Sequence, residues 1–524
     1  MSNAPKLDRI VYFGDSLTDS GVFFGLADLV LTEPFPSAIF GYDGQFSNGD
    51  VYSDIAPELL GIDVDNFAVG GARAVGEAPA IFLPFGPLGD AFLDPEATPD
   101  EIDFVSTFDI NLGGQVARFL ETLGGGPAPA GTAASIFIGL NDFNAFMPSS
   151  EGDIIAEFTI LAGDVLSATL GSAGALLSNG VSKVYVNNLL PADFFPAFLL
   201  APPAVQAIGV DALAGYNATL EATAAATFGP AVEIIDLNII GIEIQNDPTA
   251  FGFLNITDPL FFGTGGDPFI DTSTGTPIPV FAQNPALDGL DVDQFAFYDF
   301  LHFTTALHGV IGAYTASVIE GNVTVLTDGD DREYLGRGDD LVLAGLGDDV
   351  VSLGRGDDIA LAGLGDDLVF AGRGDDIVSG GSGDDRVFGG RGDDVLAGGE
   401  GDDLLKGGSG RDVLIDGLGS DVAFGGRGSD VFLYTEASLI GGTTGEDHDI
   451  FFGGRGRDTL VLALSDETRA LVEDDLNGGW FEHLDAIGVT TIGIERFVFV
   501  DSRLDLAEID TAARLAEADL WGLV

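Results

Sequence analysis

Four short stretches of this 524-residue chain carry side chains that could share one reaction. Gly14-Asp15-Ser16-Leu17 offers a hydroxyl, and Asp299-Phe300-Leu301-His302 offers a carboxylate and an imidazole three residues apart. A serine, a base to take its proton and an acid to fix the base's tautomer are the parts of nucleophilic acyl transfer. Such a reaction develops an oxyanion, which needs hydrogen-bond donors. Asn66-Phe67-Ala68-Val69-Gly70-Gly71-Ala72 presents a glycine amide with no side chain in its way, and Gly139-Leu140-Asn141-Asp142 presents a carboxamide N–H. Each motif alone says little, because a Ser after a strand serves equally well as a helix cap. The weight lies in all four arriving in order.

These residues need a scaffold that gathers both ends of the first 320 residues. The β-rich runs Ile10 to Phe13, Ile62 to Phe67, Ser135 to Ile138, Val181 to Asn187 and Val232 to Leu237 alternate with helical ones. The helical runs are Leu112 to Leu123, Ile154 to Leu177, Val205 to Thr227 and Thr305 to Ile319. This alternation predicts an α/β fold, a parallel sheet covered on both faces. In such sheets the chemistry lies beyond the carboxyl ends of the strands. Ser16, Gly71 and Asn141 each follow one of the predicted strands, and His302 directly precedes a helix.

Residue by residue, the set resembles the GDSL branch of the SGNH hydrolases over roughly residues 8–320. The resemblance implies a flavodoxin-like parallel sheet and ester hydrolysis. Ser16 falls at the nucleophile, Gly71 and Asn141 at the oxyanion donors, and Asp299 and His302 at the acid and base. Gly70 is a rival for the glycine role. Phe303-Thr304 stands where the family often has Pro-Thr, and nothing matches the G-x-S-x-G elbow of α/β-hydrolases. Lipases, phospholipases, acyltransferases and carbohydrate acetylesterases all occur in the family. Phe-rich stretches such as Phe194-Phe195 and Phe261-Phe262 suit an acyl chain or an ordinary core equally. An acyl-lipid ester is the preferred substrate, with a carbohydrate ester or an acyl acceptor other than water as alternatives.

From Leu335 a nine-residue period takes over. Eleven uninterrupted units run from LGRGDDLVL to GGRGSDVFL, ending at Leu433, and GGRGRDTLV stands alone at Gly453 to Val461. Such repetition is the sequence signature of a stacked architecture. Glycines at positions two and four permit tight turns, and position eight is always apolar. Position six is Asp throughout: Asp340, Asp349, Asp358, Asp367, Asp376, Asp385, Asp394, Asp403, Asp412, Asp421 and Asp430. Two units make one coil, which stacks the aspartates of alternate units. Twenty Asp within residues 335–433 would repel strongly unless cations sat between the turns.

This repeat resembles the RTX calcium-binding repeats, which implies an all-β parallel β-roll holding several structural Ca2+ ions. Position one departs from Gly in the first five units (Leu or Ala) and in the tenth (Asp416), so weaker binding is expected in the first turns. The four Arg-Gly-Asp tripeptides are by-products of the repeat.

The balance of 84 acidic against 20 basic side chains gives a net charge of −64, which repels nucleic acid and excludes a phosphate-backbone partner. Forty-six per cent hydrophobic residues exclude a disordered acidic tail. The absence of Cys excludes disulfides, thiolate metal sites and a Cys nucleophile. His308, His448 and His483 lack zinc-ligand spacing, and His308 reads as a packing or surface residue.

Met1 to Asp8 is short and polar, so no amino-terminal signal peptide is expected. Apolar stretches such as Phe194 to Val210 are broken by Pro, so no transmembrane segment is expected either. The expected domains are a hydrolase at 1–320, a roll at 321–461 and, at 462–524, a cap with a carboxyl-terminal signal. The strand Ile492 to Asp501 and the amphipathic run Leu504 to Leu523 carry the last expectation, resembling the cap and uncleaved signal of type I secreted RTX proteins. That resemblance implies the type I secretion machinery as partner and an extracellular, calcium-rich destination. The competing reading is a calcium-dependent extracellular structural or adhesive protein with an inert hydrolase domain. Salt adaptation competes with export as an account of the acidity.

Overall fold

The computed structural model describes residues 7–15, 17–19, 51–69, 72–75, 111–144, 154–195, 203–246, 304–327, 329–436, 448–476, 481–484 and 486–501. Short pieces at 198, 256, 261–263, 270–271, 276–277 and 281–283 are described as well. The chain packs as two units, Met1–Ile242 with Asn255–Ala316, and Glu243–Leu254 with Ser317–Val524.

The first unit is built on five parallel strands, β1 (Arg9–Gly14), β2 (Asp63–Asn66), β3 (Thr132–Phe137), β4 (Lys183–Asn187) and β5 (Val232–Ile235). Their order is β2-β1-β3-β4-β5, the flavodoxin-like doubly wound order. The central strands are buried along their length, β3 at every residue, which is why they read as continuous apolar runs rather than alternating ones. The connecting helices are α1 (Tyr52–Leu60), α2 (Leu112–Thr122), α3 (Leu140–Asn144), α4 (Ile154–Ser178), α5 (Pro203–Phe228), α6 (Leu237–Asn246) and α7 (Thr305–Glu320).

One described helix bears on the expectation of no transmembrane segment, by length and composition only. The stretch Ile155–Ser178 of α4 is 24 residues long with mean hydropathy 1.5, long and apolar enough to cross a membrane. Unlike the Pro-broken stretch Phe194 to Val210, α4 contains no Pro. The helix lies against β3, β4, α2 and α5.

The second unit is a roll of two nine-stranded sheets. One runs in parallel from Val323–Val325 to Arg496–Asp501, and the other from Arg332–Tyr334 to Val489–Ile492 with an antiparallel edge at Phe481–Leu484. Strands pair with the chain 18 residues on, as in Ile359 with Ile377 and Leu368 with Arg386, so two nonapeptides do make one coil. Across the irregular insertion the step becomes 28, as in Val422 with Ile450. The position-eight side chains, from Val342 to Phe432, form one buried core.

The glycines of the turns answer two demands at once. Gly374 has φ +131°, and a Cβ there would collide with the Gly356 carbonyl of the preceding coil. Paired strands reach both ends beyond the nonapeptides: Val323 pairs with Leu341, and Thr459 with Arg496. Between the last strands α8 (Asp466–Asp475) is capped by Ser465 Oγ, which accepts the Thr468 N–H at 3.3 Å. The predicted helix Leu504 to Leu523 lies outside the described residues.

Candidate active site and calcium ladder

Ser16, Gly70, Gly71, Asp299 and His302 lie outside the described residues, and Asn141 is described as part of the α3 backbone but not in its side chain. The residues flanking these positions are described, and they form one connected framework at the carboxyl ends of the strands.

At the end of β1, the Gln115 side chain of α2 brackets Gly14. The Gly14 N–H donates to Gln115 Oε1 at 2.9 Å, and Gln115 Nε2 donates to the Gly14 carbonyl at 2.8 Å. A Cβ on Gly14 would strike the Phe137 carbonyl and the Thr18 side chain, so the motif's glycine is required by packing. On either side of position 16, Asp15 Oδ1 accepts the Leu17 N–H at 3.2 Å and the Asp15 carbonyl accepts the Thr18 N–H at 3.0 Å. Asp15, Leu17, Thr18 and Asp19 are all buried. The Thr18 carbonyl in turn accepts from Asn66 Nδ2 at 2.7 Å and Ser53 Oγ at 2.9 Å.

The second stretch leaves β2 alongside β1. The Phe67 N–H donates to Tyr12 and the Val69 N–H to Gly14, at 2.9 and 3.1 Å, and the Ala72 N–H returns to the Val69 carbonyl at 3.1 Å. The third stretch is tied to it by the side chain of Asp142, which none of the four motifs assigns a role. Asp142 Oδ2 accepts the Ala74 N–H at 2.7 Å, and Oδ1 accepts the Val75 N–H at 3.2 Å. Burial raises the Asp142 pKa, opposed by those two N–H groups and the Arg73 charge. Asp142 thus fastens the helix bearing Asn141 to the loop bearing Gly71. Asp142→Ala leaves two amides without their acceptor. We expect a loss of about 1–3 kcal/mol in stability and roughly 10- to 100-fold in turnover, with KM little changed. Thermal melting and steady-state kinetics check both.

The fourth stretch enters α7. Thr304, fully buried, accepts the Leu307 N–H at its Oγ1 (3.4 Å) and the His308 N–H at its carbonyl (3.0 Å). His308 is a packing residue: fully buried, it stacks on Tyr52 with ring centroids 6.5 Å apart, and its Nδ1 accepts the Tyr52 N–H at 3.3 Å. The Tyr52 hydroxyl pairs with Thr18 Oγ1 at 3.2 Å and accepts from Asn187 Nδ2 at 3.1 Å. Burial raises the Tyr52 pKa far enough to keep the phenol neutral. The start of α7, three residues beyond position 302, is therefore linked through α1 to the turn that follows β1.

In the roll, the position-six aspartates form two columns. From Asp349 on, Oδ1 accepts the backbone N–H of the Asp 18 residues earlier: Asp340 N–H to Asp358, Asp367 to Asp385, Asp394 to Asp412. The columns continue past the insertion, beyond the eleven regular units, through Asp421 to Asp449, Asp430 to Asp458 and Asp458 to Glu495. Their signal lay in the apolar residue two places on, Phe451 after Asp449 and Leu460 after Asp458, as in every regular unit.

The second oxygen, Oδ2, of Asp349, Asp358, Asp367, Asp376, Asp385, Asp394, Asp403 and Asp458 is buried with no hydrogen-bond partner. Beside it lies a space that even a Cβ would overfill. At Gly380, Gly389 and Gly398 an added Cβ would strike Oδ2 of Asp385, Asp394 and Asp403. Burial first, and neighbouring carboxylates, push these acids up, to about 6 at Asp358, 7 at Asp376 and Asp385, and 8 at Asp367, Asp394 and Asp403. Hydrogen bonds from the backbone oppose the rise. Buried, donor-starved, hard carboxylate oxygens in stacked rows fit calcium.

The strand order, the Gly-Asp-Ser-Leu turn and the glycine-bearing and Asn-Asp stretches define a doubly wound α/β enzyme domain, followed by a calcium-repeat roll. Residues 10–314 match the GDSL-like lipase/acylhydrolase family, and the chain belongs to it. Residues 326–360, 361–396, 397–432 and 443–461 match the RTX calcium-binding nonapeptide repeat. The chain is similar to the phosphatidylcholine-sterol acyltransferase of Aeromonas hydrophila, 24% identical over 62% of this chain and 93% of that protein. It is also similar to the thermolabile hemolysin of Vibrio parahaemolyticus, 24% identical over 58% of this chain and 62% of that protein. Among solved structures, a family 2 carbohydrate esterase of Corynascus thermopiles aligns with 61% of this chain and 68% of its own, at 14% identity and TM-score 0.27.

Proposed function

We propose that this protein is a secreted serine ester hydrolase that cleaves acyl esters through an acyl-Ser16 intermediate and is folded by calcium bound to its roll. The observation that carries the reading is the framework around position 16, where the flanks of all four motifs are joined by buried hydrogen bonds.

In this mechanism His302 Nε2 takes the proton of Ser16 Oγ as the oxygen attacks the ester carbonyl, and Asp299 fixes the imidazole tautomer. The amides of Ser16 and Gly71 and the Asn141 side chain hold the oxyanion. His302 returns its proton to the departing alcohol, then activates a water that releases the acid from Ser16. Calcium supplies a folded roll. The position-six carboxylates, continued by Asp449 and Asp458, are its ligands.

An apolar groove supports an acyl substrate. It has a volume of about 510 Å³ and lies between α4 and α5, lined by Phe158, Leu166, Ile208 and Tyr216 among others. Phe143, two residues beyond Asn141, stacks on Phe158 at 5.1 Å and meets Tyr216 edge-on at 5.3 Å. The relative named as a phosphatidylcholine-sterol acyltransferase favours the same class and makes a second alcohol the natural rival to water. The RTX repeats support export by a type I route, with calcium met outside the cell.

A p-nitrophenyl ester series from acetate to palmitate, assayed in calcium, tests the reading. We expect turnover with an optimum at medium or long chains. An acetate optimum would move the substrate to carbohydrate esters, and no turnover by the calcium-folded protein would favour the inert, structural reading.

A further inference from the structure

The tenth nonapeptide breaks the pattern of its neighbours at position one. Glycine stands there in the sixth to ninth and eleventh units, and a Cβ would strike the carboxylate five residues on, as at Gly398 against Asp403 and Gly425 against Asp430. In the tenth unit that inward position carries Asp416, 2% exposed. One oxygen each from Asp416, Asp421 and Asp449 lies within 4.8 Å of the others, and all three side chains are buried. Asp416 Oδ2 has no hydrogen-bond partner. An ionised carboxylate so placed is costly unless something positive meets it.

The cluster also sits in the coil that carries the insertion. The Asp421 N–H reaches Asp449 Oδ1 at 3.0 Å across 28 residues, whereas the preceding step, Asp403 to Asp421, spans 18. The third carboxylate therefore appears where the nonapeptide stack first departs from its 18-residue step, and a longer loop costs more to close.

We infer that Asp416, Asp421 and Asp449 form a calcium site of their own, which clamps the lengthened coil with one more carboxylate than the repeat pattern supplies. The inference rests on the roll binding calcium through its position-six carboxylates and goes beyond it to a ligand outside that pattern. Three flexible hard-oxygen groups suit the irregular six- to eight-fold coordination of calcium better than the strict octahedron of magnesium. Ligand charge sets affinity in such sites, so this one binds before its neighbours.

Calorimetric titration of the chelator-stripped full chain with calcium tests this, comparing wild type with Asp416→Asn and with Asp416→Gly. The glycine variant restores the residue present at Gly398 and Gly425, and so keeps the test decisive if the amide disturbs folding. We expect the tightest step to weaken by about tenfold or more in both variants, while the later steps overlay those of wild type. A wild-type isotherm from the glycine variant, or a tighter one, would overturn the site while leaving the roll a calcium binder. Absence of any calcium binding by the wild type would overturn the reading on which the site rests.

Discussion

Ser16→Ala lowers ester turnover at least ~10³-fold while leaving the melting temperature in calcium within a degree or two of wild type. The size follows from the division of labour in a serine hydrolase, where the oxyanion donors and substrate binding retain only the residual catalysis once the nucleophile is gone. The unchanged stability follows from this fold. Gly14 is held by Gln115, and the Thr18 carbonyl by Asn66 and Ser53, all through contacts that do not involve residue 16. His302→Ala should cost about as much, and the double variant no more than either single one, because the two side chains act as a unit. Steady-state rates on a medium-chain p-nitrophenyl ester, with melting curves alongside, make the comparison. Turnover by Ser16→Ala near the wild-type rate would remove the acyl-serine mechanism altogether.

The five strands and the long helices were legible in the sequence to within about three residues, because the central strands are buried apolar runs and the helices long ones. β2, exposed at Asp63 and Val64, is the exception. Four described helices, α1, α3, α6 and α8, were not legible, two of them for identifiable reasons. α1 carries Pro57 within nine residues, and α6 is rich in Ile, a residue as well suited to strands. The tie made by Asp142 was equally invisible. An Asp after an Asn in a loop motif looks like solvent-facing polarity until the fold brings the Ala74 and Val75 amides to it. His308 was open between packing and surface in the sequence, because only the fold brings its ring against Tyr52. In the roll, the strict period marked the positions of the hydrogen-bonded Asp columns up to Asp430. The same strictness concealed Asp449, which keeps the spatial column while the sequence step lengthens from 18 to 28.

Removing calcium unfolds the roll at pH 8 and leaves it partly folded at pH 5. The sign follows from the direction of the pKa shifts. Asp358, Asp367, Asp376, Asp385, Asp394 and Asp403 have an ordinary value of 3.8 and are raised to between about 6 and 8 in the calcium-free roll, by burial first. Groups raised on folding take up protons, so the stability they contribute is complete below pH 3.8 and is lost as pH climbs through 6 to 8. At pH 8 in chelator the columns are stacked anions with no counter-charge, and the melting temperature should fall by ~10 °C or more, or the transition vanish. At pH 5 protons partly replace the ions. In the presence of metal the dependence reverses, because protons now compete for the same oxygens, so more calcium is needed for half-folding at pH 6 than at pH 8. Far-UV circular dichroism, with limited proteolysis mapped to residues 335–461, reads both trends. A chelated roll as resistant at pH 8 as at pH 5 would mean that the buried carboxylates carry no uncompensated charge, and the case for them as calcium ligands would fall with it.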